Sequence, residues 1–164
     1  MTIAVRDIDP RALRECCGRF ATGVTVVTTR TAAGDHGMTI SAFMSVSLTP
    51  PLVCISVGRG ARLLPKLRGS GRFAINILSE DMRAHALHFA GRPEAALNDP
   101  FEDRHGLPIL RDAAAVLVAD VARTVEAGDH VLVLGAVRHL EHRPGARPLL
   151  HHAGQFGGIA AQAR

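Results

Sequence analysis

A glycine- and arginine-rich turn in the first half of the chain has the residue types to bind a charged ligand. The segment 58–62, Gly-Arg-Gly-Ala-Arg, follows an apolar run that predicts a strand and precedes a predicted helix. Backbone N–H groups in such a turn can approach a phosphate, and Arg59 and Arg62 add two guanidinium groups. Leu63 stands where a dinucleotide-binding Gly-x-Gly-x-x-Gly motif has its third glycine, which argues against a Rossmann domain. The segment predicts either a phosphate-binding turn or a strand-to-helix turn with exposed arginines.

One of the nine histidines directly follows a predicted turn, a position at which its side chain can reach a ligand. His130 follows Gly128 and Asp129 at the start of a predicted strand, which places its imidazole at the mouth of a sheet. Neutral imidazole can hydrogen-bond an amide or transfer a proton near neutral pH, although a structural histidine fits these residues equally well. The other histidines form no HExxH-type or Cys–His pattern, so the sequence predicts no metal site.

Catalysis by the protein's own side chains finds little support in the sequence. No Gly-x-Ser-x-Gly segment is present to carry a nucleophilic serine. Paired carboxylates are sparse in the predicted strands, which argues against glycosidase chemistry. Such a chain is typical of proteins whose chemistry is supplied by a bound cofactor.

Length, charge and cysteine content further limit the classes of protein to which the chain can belong. The 164 residues fit one domain, predicted over 1–164, and the net charge of +4 comes from scattered arginines with Lys66 as the only lysine. Because Tyr and Trp are absent, a nucleic-acid partner is not expected. Cys16, Cys17 and Cys54 form no disulfide framework, and no apolar segment approaches the ~20 residues needed to span a bilayer. We expect a cytoplasmic protein with reduced thiols and no membrane association.

Strand signals dominate the chain and are joined by connections too short for parallel crossovers. The predicted strands are 24–29, 38–42, 52–57, 73–78, 114–125, 130–140 and 148–151. The predicted helices are one that begins at Pro10 after an Asp9 N-cap and is closed by Gly23, a short one around Leu63–Leu67, and one over 79–89 capped by Ser79. The segment 91–108 is expected to be a long functional loop, and 154–158 a glycine-rich tail. Together these elements predict a mostly β, antiparallel barrel with a few flanking helices.

A series of short motifs runs in order from about Leu13 to Phe156. The most specific is Gly-Met-Thr-Ile-Ser-Ala-Phe-Met-Ser-Val-Ser-Leu at 37–48, followed by Pro-Pro-Leu-Val at 50–53. The others are 20–29, 73–79, 89–91, 106–108, 127–130 and 148–150. Together they resemble the flavin reductase-like family of FMN-binding split barrels. Within that family the chain is most similar to the small reductase components of two-component flavin-dependent monooxygenases.

The resemblance implies a Greek-key-like split barrel that forms a homodimer, with flavin bound near the dimer interface. It places Met38, Thr39, Ser41, Ala42 and Phe43 along the isoalloxazine ring. It places Ser56, Val57, Gly58, Ala61 and Arg62 at the ribityl and phosphate portion, and Asn76, Leu78 and Ser79 on the pocket's other side. The resemblance also puts His130 near the nicotinamide of the reductant. Relatives often carry a lysine in the 58–62 turn, and this chain has none there.

The predicted function is NAD(P)H:flavin oxidoreductase activity, with FMN or FAD reduced by NADH or NADPH and passed to a separate monooxygenase. One alternative is a flavoprotein whose tightly bound FMN acts on a substrate of its own. Another is a flavin-binding electron carrier without catalysis, and the weakest is a basic nucleic-acid-binding barrel.

Overall fold

The computed structural model describes residues 8–94 and 97–160, and strands account for most of the ordered structure. The helices are α1 Pro10–Cys17, α2 Leu63–Ser70 and α3 Arg83–Phe89. The first six strands are β1 Thr22–Gly23, β2 Thr25–Thr31, β3 Gly34–Ile40, β4 Phe43–Leu48, β5 Pro51–Gly58 and β6 Arg72–Ile77. The remaining six are β7 Phe101–Arg104, β8 Leu107–Leu110, β9 Ala115–Ala127, β10 His130–His142, β11 Leu150–His152 and β12 Gln155–Gly157. The prediction of a mostly β, antiparallel fold with flanking helices is confirmed.

The chain connectivity closes the main sheet into a barrel. Its strand order is β3-β2-β6-β9-β10-β5-β4, so β3 and β4 lie at opposite edges. Only Ser41 and Ala42 separate these two strands along the chain, which forces the edges together. The Ser56 N–H donates to the Ala42 carbonyl oxygen at 3.0 Å and fastens this closure.

The barrel interior is filled by alternate residues of its strands. Val53, Ile55 and Val57 on β5 face Val131 and Val133 on β10, and all five are buried. Phe73 and Ile75 of β6 join the same core, and the leucines of α2 close one end of it. β-branched and aromatic residues pack well on a pleated surface, which explains why these runs form strands.

A second apolar cluster lies between β2, α3 and the C-terminal strands. Val24 and Val26 pack with Met82 and Ala86, and Leu149 completes the cluster. The β7–β8 hairpin covers a third cluster. These layers fix α3 against the barrel, and α3 supplies one wall of the site described below.

Two of the three predicted helices need a corrected boundary, the first helix at its C-terminal end and the third at its N-terminal end. Asp9 caps α1 as expected, by accepting from the Arg11 N–H at 3.0 Å, but the helix ends at Cys17, with Gly18 rather than Gly23 at its C-cap. The third helix begins at Arg83 and not at Ser79, because Ser79 is held in a β-bridge with Pro148. The Ser79 hydroxyl donates to Asp81 and so does not cap the helix.

Several strands lie where the sequence predicts none. The segment 91–108, predicted as a loop, contains β7 and the start of β8, joined through His105 and Gly106 with positive φ angles of 56° and 74°. The glycine-rich tail contains β12, and β4 forms because its backbone pairs with β5. Within the two described ranges, no helix is long and apolar enough to cross a membrane.

Candidate functional site

An open cleft of about 740 Å³ lies at one end of the barrel, between β3, the turn after β5, and α3 with the segment that follows it. Met38 and Gly37 of β3 form one side, and Ala61 and Arg62 form another. Phe89 of α3 closes the third side. The volume and the mixture of apolar and cationic groups suit a small organic anion.

Contact between β3 and α3 requires a glycine at position 37. A methyl group added there would lie 2.7 Å from a ring carbon of Phe89. The Thr39 hydroxyl donates to the Ala86 carbonyl oxygen at 2.7 Å, which ties the strand to the helix. Thr39 therefore positions the wall of the cleft, and the side chain of Met38 packs against the barrel core.

The two-residue junction between β3 and β4 presents unused backbone donors. Ser41 and Ala42 are exposed, and the N–H of Phe43 donates back to the Ser41 carbonyl oxygen at 3.0 Å. In the described part of the chain, the N–H groups of Ser41 and Ala42 donate to no protein oxygen. Free N–H groups at a rigid strand junction can bind an electronegative ring edge.

A second cavity, of about 360 Å³, lies on the other side of this junction. Ser41 and Phe43 line it together with Phe20 and Thr22. The residues predicted to follow the isoalloxazine ring are thus divided between two neighbouring cavities, with Met38 in the cleft and Ser41 and Phe43 in the smaller one.

The turn after β5 brings the predicted phosphate-binding segment to the cleft. The Ala61 N–H donates to the Gly58 carbonyl oxygen at 2.9 Å, and this tight turn leads directly into α2. The side chain of Val57 is buried in the barrel core, so only its backbone can face a ligand. Ser56 is half-buried, and its N–H is used in the barrel closure.

The two arginines of this turn have different surroundings. Arg59 pairs with Glu126 at 2.9 Å, and Arg68 of α2 pairs with the same carboxylate at 3.0 Å. Arg62 lines the cleft and forms no ion pair among the described residues. Arg62 is therefore the arginine of this turn that remains to meet a phosphate.

His36, which the sequence analysis did not single out, adds a further nitrogen to the cleft. Burial lowers the pKa of His36, and the nearby Lys66 and Arg62 lower it further. An anion bound among these groups would relieve their mutual repulsion. The sequence signal that could have identified His36 is its position, since it lies two residues before Met38 of the Gly-Met-Thr motif.

His130 lies at the start of β10, directly opposite Gly58 of β5. Its Nδ1 is 2.8 Å from a carboxylate oxygen of Asp129, and this hydrogen bond holds the pKa of Asp129 below its usual range. A methyl group at Gly58 would lie 3.9 Å from His130 Nε2, so the imidazole stands over the glycine. The ring is 49% exposed and available to a ligand.

Asn76, Leu78 and Ser79 are not brought to the cleft. All three are buried, and both polar ends of the Asn76 amide are used within the core. Its nitrogen donates to the Val26 carbonyl oxygen at 2.9 Å, and its oxygen accepts from the Leu110 N–H at 2.8 Å. In this structure Asn76 joins β2, β6 and β8, which is a structural role.

Comparison with known proteins agrees with this architecture. The family described as "Flavin reductase like domain" matches residues 17–160. An NADH-dependent flavin reductase from a Rhodococcus species is 39% identical over 166 residues, covering 97% of this chain and 94% of the relative. The reductase component of 4-hydroxyphenylacetate 3-monooxygenase from Thermus thermophilus is 40% identical over 140 residues, covering 85% of this chain and 90% of the relative.

A solved structure extends the likeness to three dimensions. The flavin reductase PheA2 superposes with a TM-score of 0.90 at 42% identity, covering 94% of this chain and all of that one. The barrel described above is therefore the split barrel of flavin reductases. Both the sequence and the fold place this chain in the flavin reductase like domain family.

Proposed function

We propose that this chain is an NAD(P)H:flavin oxidoreductase that reduces FMN or FAD by hydride transfer and supplies reduced flavin to a separate monooxygenase. The observation that carries the proposal is the cleft, which Arg62 lines without an ion pair among the described residues. The unused N–H groups of Ser41 and Ala42 lie in the junction that follows β3, and the oriented His130 stands over Gly58 at the start of the turn. Relatives named as NADH-dependent flavin reductases and as a monooxygenase reductase component support it.

The residues present fit a flavin. A bound flavin supplies the redox chemistry, because its ring system accepts a hydride from reduced nicotinamide. The free N–H groups of Ser41 and Ala42 would bind the polar edge of the ring and favour the negative charge that this edge gains on reduction. Arg62, with His36 beside it, would hold the phosphate.

His130 is proposed to orient the nicotinamide. The hydrogen bond to Asp129 fixes the ring, and the absence of a side chain at Gly58 leaves space beneath it. Holding two reactants in register contributes to the rate without any proton transfer by the protein.

We further propose that the active form is a homodimer with flavin near the interface. The helix α1 has no buried residue, although Leu13 and the neighbouring Phe20 are apolar, and Phe20 is 78% exposed. On the edge strand β4, Met44 and Leu48 are also exposed, Leu48 by 91%. Large exposed apolar patches mark surfaces that a partner covers, and these residues support such a surface.

The test of the proposed function is anaerobic reduction of a large molar excess of flavin by NADH or NADPH in the presence of the purified protein. A reductase that releases reduced flavin after every turnover reduces all of the free flavin. Reduction of only one flavin per chain would indicate a dedicated flavoenzyme instead. Flavin binding without any reduction would indicate an electron carrier.

A further inference from the structure

A third cavity, of about 810 Å³, adjoins the cleft along α2, and we refer to it as the α2 cavity. Arg62 lines both the cleft and the α2 cavity, so the two spaces meet at its side chain. The other walls are the exposed face of α2, with Pro65 and Lys66, and the β2–β3 turn at Ala32.

The charge of the α2 cavity is concentrated on two side chains. Arg62 and Lys66 are four residues apart, which places them on one face of the helix. Neither forms an ion pair within 8–94 and 97–160. Arg30, which also lines the cavity, is by contrast bonded to Asp35 at 2.7 Å and to Asp103.

Lys66 also belongs to the electrostatic surroundings of the cleft. It is half-buried, and it lowers the pKa of His36, which lines the cleft. His36, Arg62 and Lys66 therefore form a continuous row of basic groups from the cleft into the α2 cavity. A ligand with one phosphate needs only the cleft end of that row, whereas a ligand with two linked phosphates can use all of it.

We propose that the α2 cavity binds the adenylate half of FAD, with Lys66 contacting its second phosphate. This inference rests on the proposed function, which places the first phosphate at Arg62. Ala32, Pro65 and Gly69 contribute apolar surface on which a purine can pack. The chain therefore binds FAD more tightly than FMN. An adenylate group could also come from NAD(P)H, but the cavity is continuous with the flavin end of the cleft through Arg62.

Equilibrium titrations of FMN and FAD, followed by flavin fluorescence in the absence of reductant, test the inference. We expect the unmodified protein to bind FAD more tightly than FMN. In Lys66→Gln we expect roughly a tenfold weaker affinity for FAD and less than about a twofold change for FMN. Arg68→Gln is the matched control, since this residue lies on the same helix, carries the same charge and pairs with Glu126 outside both cavities. It should change neither affinity.

A second variant guards against misfolding of the first. Ala32→Asp adds a negative charge at an exposed turn position of the α2 cavity and should weaken FAD without weakening FMN. Equal affinities for FMN and FAD, unchanged in both variants, would overturn the inference. A rise in the KM for NADH in Lys66→Gln, with FMN as acceptor and FAD affinity unchanged, would assign the cavity to the nicotinamide dinucleotide. Failure to bind either flavin would instead contradict the proposed function.

Discussion

His130 and Arg62 have the two proposed ligand-directed roles that can be tested separately with single substitutions. His130 is held by Asp129 at the start of β10, which pairs with both β5 and β9, and Arg62 stands at the start of α2. One is assigned to the nicotinamide and the other to the flavin phosphate. Each assignment predicts that a substitution changes one measurable quantity and leaves another unchanged.

His130→Ala should slow the reduction of flavin by about tenfold and change the flavin dissociation constant by less than about twofold, because it loses orientation and no flavin contact. Rapid mixing of the flavin-loaded protein with NADH under anaerobic conditions measures the rate. His152→Ala, an exposed histidine on β11, is the control. An unchanged reduction rate in His130→Ala would remove this residue from the mechanism.

Arg62→Gln should weaken FMN roughly tenfold, since it loses a charge-assisted contact with the phosphate, and should leave riboflavin affinity unchanged. Fluorescence titration with both ligands measures the difference. Riboflavin has the same ring and lacks the phosphate, so it serves as an internal control. Equal weakening of both ligands would show that Arg62 acts on the fold or the ring and not on the phosphate.

Single residues show both what the sequence predicts well and what it misses. The Gly58–Arg62 turn follows from its glycines and from the strand before it. Asn76 could not be distinguished from a ligand residue, because its partners Val26 and Leu110 lie 50 and 34 residues away along the chain. The sequence also could not show that Arg59 is ion-paired and Arg62 is not, because the partner carboxylate of Arg59 is Glu126, on a distant hairpin.

At the scale of elements, β10 packs closely against side chains of β6 and β9 inside the barrel. Gly135 of β10 lies where any side chain would collide with its neighbours. An added methyl group would be 2.6 Å from the Phe73 ring and 2.9 Å from the Ala119 side chain. A β-bulge lies beside Gly135, so the ladder is already irregular there.

Gly135→Ala should lower the free energy of unfolding by about 1–3 kcal/mol, the usual cost of overpacking a filled core. Chemical denaturation measures it. Gly157→Ala is the matched strand substitution, because a methyl group there meets no atom within 4 Å, and its effect should be within about 0.5 kcal/mol. Equal stability of the two variants would mean that the barrel relaxes freely around position 135.

The long strands were predictable because β-branched runs and the Gly128-Asp129 turn are local signals. The short ones were not, since β7, β8 and β12 form at glycine-containing turns whose pairing depends on the surface beneath them. The start of α3 was misplaced for a similar reason, as the bridge between Ser79 and Pro148 connects segments 69 residues apart.

At the scale of the whole molecule, the exposed apolar residues of α1 and β4 lead us to expect association of two copies. Leu48→Lys should place a charge in that surface, shift the mass measured by light scattering toward the 17.4 kDa of one chain, and weaken flavin binding with it. Ala33→Lys, on the exposed β2–β3 turn, is the control, with flavin binding measured with FMN because the neighbouring Ala32 lines the α2 cavity. A monomeric unmodified protein that binds flavin would contradict the dimer proposal.

The central claim is that the protein transfers hydride from reduced nicotinamide to a flavin that it does not retain. The most direct test is the loss of reduced-nicotinamide absorbance with purified protein, each of NADH and NADPH, and each of FMN and FAD. We predict rapid oxidation that requires added flavin, and the preferred pair then identifies the reductant and the flavin. Absence of oxidation with every pair, in protein that demonstrably binds flavin, would contradict the assignment as a flavin reductase.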